Sequence, residues 1–186
     1  MKRDEFVKKC TAIGALSFLA LTLPEKQLVA QAVKANSNNP VNNANREQIT
    51  NLLKFIDGNM DNSVKQKVFG KLGYECFHCT NAEKWIKSME LNSLLEFVNN
   101  GKSSRWERIE YSQEKQVLKI IGLKTPCDCA YSQCQLPPKS LCNYCCKSFM
   151  QELFGTLLEK KVKVSIDESI ILGGERCSVT VFVKST

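Results

Sequence analysis

Apolar residues recur at helical spacing where the chain first has something to bury. Ile49, Leu52, Leu53, Ile56 and Met60 lie three or four residues apart, the interval that gathers side chains on one face of a helix. Residues 61–73 continue with Val64, Val68 and Leu72 on one face, and Gly70 and Gly73 loosen the end of that segment. The same spacing predicts a third helix over 82–99 that turns Trp85, Met89, Leu95 and Val98 inward and stops at Asn99, Asn100 and Gly101. Trp85, Met89 and Trp106 are read as core residues.

The period then shortens to two. Residues 106–111 and 116–123 read as strands joined by a polar turn at 113–115, a hairpin. Pro126 and the Pro137-Pro138 pair bracket an irregular loop. Ser140 is placed to cap a helix running to about Lys160, with Cys146, Phe149, Leu153 and Leu157 along one stripe. Val162, Val164 and Ile166 alternate, Gly173-Gly174 turns the chain, and Cys177, Val179, Val181 and Val183 alternate again. The expected fold is α+β: amino-terminal helices, an antiparallel sheet of two hairpins and a long helix between them. The pattern leaves the order of strands open.

The pattern also divides the chain. Residues 1–32 read as an export signal peptide: Lys2, Arg3, Lys8 and Lys9 precede an apolar run over 11–23, and Ala30-Gln31-Ala32 forms an A-x-A cleavage site, so cleavage is expected after Ala32. The run of thirteen residues is too short for a ~30 Å hydrocarbon core at ~1.5 Å per residue, so no transmembrane helix is expected in the mature form. The string KRDEFVKK resembles a twin-arginine export signal, with Asp4 where the second arginine would stand. Residues 33–45, rich in Asn, read as a disordered linker, and 46–186 as a single domain. An exported protein, periplasmic or in the cell envelope, is the expectation.

Composition adds that 43% hydrophobic and 24% charged residues suffice for a core without cysteine staples. Loss of residues 1–32 removes five basic and three acidic side chains, lowering the formal charge from +7 to +5. The remainder is scattered without a basic block, which argues against nucleic acid as a partner and leaves a small-molecule ligand or a homodimer.

The candidate chemistry is sulfur. Six of the ten cysteines fall within residues 127–146. Without Cys10 nine remain, an odd number that cannot all pair within one chain in an oxidising compartment. Cys76-x-x-Cys79, Cys127-x-Cys129 and Cys142-x-x-Cys145 have the spacing of metal clamps, and Glu168 and Cys177 add a carboxylate and a thiol at the two ends of the last turn. The candidate ligands are Cys127, Cys129, Cys142, Cys145, Glu168 and Cys177, with Cys76 and Cys79 as additions, and the candidate cofactors are zinc or an iron-sulfur cluster. Disulfides remain the alternative. His78, the one histidine, is read as an exposed polar residue, since side chains adjacent in sequence diverge and make a poor Cys-His dyad.

From Cys142 onward the string CNYCCKSFMQELFGTLLEKKVKVSIDESIILGGERCSVTV, with Gly73-Tyr74-Glu75-Cys76 upstream, resembles an uncharacterised exported bacterial family related to L-2-amino-thiazoline-4-carboxylic acid hydrolase-like proteins. More distantly, the carboxy-terminal half is similar to 4-vinyl reductase type ligand-binding domains. That resemblance implies an apolar pocket and a zinc site in which Cys145, Glu168 and Cys177 match three ligands. Ile170 and Ile171 occupy the position of the family's remaining cysteine, so Cys127, Cys129 or Cys142 would complete the set. The readings left open are a zinc-thiolate small-molecule-binding domain, a small-molecule hydrolase using a cysteine or metal-bound water, and an iron-sulfur redox protein.

Overall fold

A computed structural model describes residues 40–127, 129, 131–132 and 136–183, with side chains from residue 47 onward. The export segment, its cleavage point, residues 33–39 of the linker, Cys10, Asp128 and Cys134 lie outside the described residues.

Helix α1 spans Pro40–Asn59. Residues 40–45, assigned to the linker on composition, thus open this helix; proline suits a first helical position because its missing N–H has no partner to lose there. Leu53 is buried, with Ile49 and Ile56 packed beside it. Met60 lies beyond the helix end and is exposed. Helix α2 spans Asn62–Cys79 and starts at Asp61, whose carboxylate accepts the Val64 N–H at 3.0 Å. It does not end at Gly73 but continues to Cys79, burying Phe69, Leu72, Gly73 and Phe77.

The expected third helix is two, α3 at Ala82–Lys87 and α4 at Leu91–Asn99. The break has a local cause. The Ser88 hydroxyl donates to the Trp85 carbonyl at 2.7 Å and the Met89 N–H reaches the Ile86 carbonyl at 3.1 Å, so the turn tightens and Glu90 leaves it extended. Ile86 is fully buried while Trp85 is 38% exposed, a correction to the inward placement of Trp85. Leu94 and Val98 enter the core, with Met89 and Leu95 half-buried against it. The stop after Asn99 is as expected: the Gly101 N–H returns to Val98 and the Lys102 N–H to Phe97, with Gly101 left-handed at φ +70°.

Strands β1 (Trp106–Ser112), β2 (Val117–Gly122), β3 (Val162–Glu168) and β4 (Ser178–Val183) form one antiparallel sheet in the order β1-β2-β4-β3. Two hairpins are therefore joined through β2 and β4, with Leu118 opposite Val181 and Ile120 opposite Val179. Alternation places Ile109, Leu118, Ile120, Val162, Val164, Val179 and Val181 in one buried cluster. Helix α5 (Lys147–Leu158) contributes Met150, Leu153 and Phe154 to it, and Trp106 stacks on Phe154 with ring centroids 6.1 Å apart. On edge strand β1 the Asn99 side chain pairs with both the N–H and the carbonyl of Ile109 at 3.0 Å, satisfying backbone groups the sheet leaves open. The architecture is the expected α+β one, a four-stranded antiparallel sheet of two hairpins with a helix between them.

A second cluster lies between α1, α2 and the cysteine loop: Leu53, Phe69, Leu72, Tyr131, Leu141 and Cys145, with Cys76 and Cys129 packed against it. Among the described residues no helix is long and apolar enough to cross a membrane.

Candidate functional site

Residues Leu141–Cys146 form a π-helical turn that leads into α5. Ser140, expected to cap this helix, makes no cap of its own. Asp57 of α1 does so instead, accepting the Lys139 N–H at 2.8 Å, the Ser140 N–H at 3.3 Å and the Ser140 hydroxyl. A partly buried polar contact between distant segments thus fixes where the turn begins.

The wider π turn decides which thiols meet. With i→i+5 bonding, residues four apart lie nearly above one another, so Cys142 and Cys146 share a side. Cys127, Cys142, Cys146 and Cys177 each lie within electrostatic range of the other three. They come from the loop, from two positions of the turn and from the approach to β4. Burial pushes the Cys142 thiol up to about 11, with the charges of Cys127 and Cys177 adding to it. Loss of solvent drives Cys146 higher still, again reinforced by Cys142, Cys177 and Cys127. Cys177 is raised by burial, then by Cys127 and Glu168. Ser169, 2% exposed, donates to the Cys142 sulfur at 2.8 Å and works against the upward shift of Cys177.

Cys145 points elsewhere. It is 6% exposed and lies in the cluster against which Cys76, one turn after Gly73 on α2, is packed. Interaction with Cys76, then burial, holds the Cys145 thiol well above its ordinary value, and the same interaction draws Cys76 below its own. Cys129 interacts with both, and burial pushes it up to about 11. Gly73 makes this meeting sterically feasible, because a Cβ there would lie 2.0 Å from the Cys145 carbonyl oxygen. Gly122 does the like at the other group: its N–H donates to the Cys177 carbonyl at 2.7 Å, and a Cβ would lie 2.7 Å from that oxygen.

The remaining candidates separate from these two groups. One oxygen of Glu168 accepts the Glu175 N–H at 2.7 Å and the Arg176 N–H at 3.4 Å, buckling the turn that presents Cys177. Cys79 is exposed, with its thiol toward Glu75 at 3.9 Å. His78 faces carboxylates, with Nδ1 2.8 Å from Glu83 and Nε2 3.6 Å from Glu152, and its ring lies 4.3 Å from that of Tyr74. Its side chain is 30% exposed. The eight described cysteines are free thiols, and among the described residues no three His, Cys, Asp or Glu side chains converge closely enough, as placed, to hold a metal ion. The donor chemistry nonetheless suits a soft cation, because buried thiols that disfavour one another's ionisation gain most from a positive charge among them.

Sequence reasoning missed Cys146, Ser169 and Asp57. Cys146 could have been found from its four-residue interval after Cys142, which puts both on one helical face. Ser169 and Asp57 act from distant segments and carry no local signal.

No protein-family model matches the chain, and no curated protein matches it. Among solved structures, it is similar to a trafficking protein particle complex subunit 3 from Naegleria fowleri covalently bound to palmitic acid, at 14% identity over 90% of this chain and 94% of that one, with a TM-score of 0.36. A likeness at that score carries no argument about fold, ligand or activity.

Proposed function

We propose that the domain is an exported soft-metal-binding module whose centre, loaded with zinc, is the four-thiol group Cys127, Cys142, Cys146 and Cys177. The observation that carries this reading is that four thiols from three separate segments each act electrostatically on the other three, with the buried Ser169 hydroxyl donating to one of them, Cys142. Zinc takes four thiolates tetrahedrally and would offset the cost of ionising thiols that burial raises at Cys142, Cys146 and Cys177. Binding would be accompanied by proton release and by inward rotation of the side chains. Glu168 then acts on the centre by holding the turn before Cys177. Export rests on the pattern of residues 1–32, and the hydrolase and small-ligand readings rest on the sequence resemblance. An iron-sulfur cluster would use the same thiols and is separated from zinc by a brown colour.

The test is metal content and cobalt substitution on full-length protein purified without oxygen. One equivalent of zinc, and thiolate-to-cobalt charge-transfer absorption after exchange, are expected. Cys146→Ser should lose both, while Cys79→Ser keeps them. Less than about half an equivalent in the wild type, or retention of the cobalt spectrum in Cys146→Ser, sinks the assignment.

A further inference from the structure

The thiols left outside the four-membered group have a geometry of their own. Cys76 lies on α2, one turn after Gly73, and Cys145 on the π turn whose backbone meets α2 over Gly73, so both thiols come to one packed cluster. Cys145 belongs to the second buried cluster, and Cys76 packs against it from the partly exposed side. One sulfur is therefore reachable from solvent and the other sits behind it.

We infer that Cys76 and Cys145 form a dithiol–disulfide redox couple that exchanges with a small-molecule or peptide disulfide, Cys76 being the entry thiol and Cys145 the resolving one. The Cys76 thiolate attacks one sulfur of the incoming disulfide, forming a mixed disulfide and expelling one thiolate. Cys145, losing its proton, then attacks the Cys76 sulfur and expels the second thiolate. The incoming disulfide gains two electrons and leaves as two thiols, which take up the two protons the pair gives up, and the pair becomes one intramolecular disulfide. Access supports this order, because Cys76 is partly exposed and Cys145 is buried. Oxidation would staple α2 to the π turn without using any of Cys127, Cys142, Cys146 or Cys177.

Full-length reduced protein is equilibrated with mixtures of reduced and oxidised glutathione, quenched with acid, alkylated and mapped by mass spectrometry. The expected product is a peptide pair joined through Cys76 and Cys145. In Cys145→Ser the glutathione adduct on Cys76 should accumulate about tenfold over wild type, because nothing resolves it. Cys76→Ser should give neither the crosslink nor an adduct at Cys145. Absence of the wild-type crosslink, pairing of Cys145 with Cys129 instead, or equal adduct levels in wild type and Cys145→Ser would overturn the couple. The wild-type map decides the matter even if Cys145→Ser fails to fold. A crosslink that persists in Cys146→Ser supports its independence of the four-thiol group, and its loss there refutes that independence.

Discussion

Gly73→Ala tests the contact on which the thiol arrangement rests. A Cβ at this position would lie 2.0 Å from the Cys145 carbonyl oxygen, 2.9 Å from its carbonyl carbon and 3.0 Å from the Ser148 Cβ. Close carbon-to-oxygen contacts sit at ~3.3 Å, so α2 and the π turn would have to part by more than about 1 Å. The clash is with backbone, which cannot swing aside as a flexible side chain could. Overpacking of this kind costs ~1–3 kcal/mol, and the better helix propensity of alanine returns ~0.5–1 kcal/mol. A net loss of about 1 kcal/mol is expected. Gly70→Ala, one turn earlier on the same helix with nothing within 4 Å of its Cβ, receives the propensity gain alone. It should be stabilised by ~0.5–1 kcal/mol.

The two variants are chemically the same change, so their difference isolates the contact. It should come to ~1–3 kcal/mol in urea unfolding followed by far-UV circular dichroism, or roughly 2–12 °C in Tm for a chain of this size. Similar slopes in urea are required for that comparison. Gly73→Ala should also slow formation of the Cys76–Cys145 crosslink, which Gly70→Ala leaves alone. Stabilities agreeing within ~0.5 kcal/mol would refute the close approach of α2 and the π turn.

Asp57→Ala removes the acceptor for two N–H groups and a hydroxyl at the start of the π turn, and urea unfolding should show a loss of ~1–2 kcal/mol. Glu159→Gly should stabilise by ~0.5–1 kcal/mol in the same assay, because Glu159 ends α5 in the left-handed region at φ +51° where a side chain is strained. The metal-free protein should lose stability as pH rises between about 9 and 11. Folding raises the Cys129 and Cys142 thiols to about 11, so the unfolded chain releases those protons first and is favoured above pH 9. Unfolding at a series of pH values checks this, and a flat or rising profile over that window would contradict it.

The strands were legible because their alternation is complete. Val162 with Val164, and Val179 with Val181, present one buried face each, and any other register would expose it. The pairing of β2 with β4, which joins the hairpins, was not legible, since nothing local distinguishes an edge strand from a central one. The break in 82–99 was hidden for a related reason: Ser88 is an acceptable helix residue until its hydroxyl takes the Trp85 carbonyl. Gly73 read as a helix end because glycine weakens helices, and its use as a contact needs knowledge of the facing backbone. At the site, the cysteine pairs pointed to the right region, but the spacing rule joined Cys142 to Cys145. The turn is π-helical, and its start is set by Asp57 from a distant helix.

That turn explains why two adjacent cysteines serve different neighbourhoods. Successive side chains of a helical turn diverge, so Cys145 and Cys146 cannot readily converge on one ion. Cys146 sits mainly with Cys127, Cys142 and Cys177, and Cys145 with Cys76 and Cys129, while charge interactions of Cys129 with Cys127 and Cys146, and of Cys145 with Cys146, run between the two groups. A cation among the first four would leave the second three as thiols, and oxidation of Cys76 with Cys145 would leave the first four unconsumed. The two chemistries still share a support. Any force that shifts the turn moves Cys142, Cys145 and Cys146 together, so a staple at Cys145 would restrain the positions from which Cys142 and Cys146 reach their partners. The contacts that should matter to both groups are therefore those that fix the turn itself: Gly73 beneath it and Asp57 at its start.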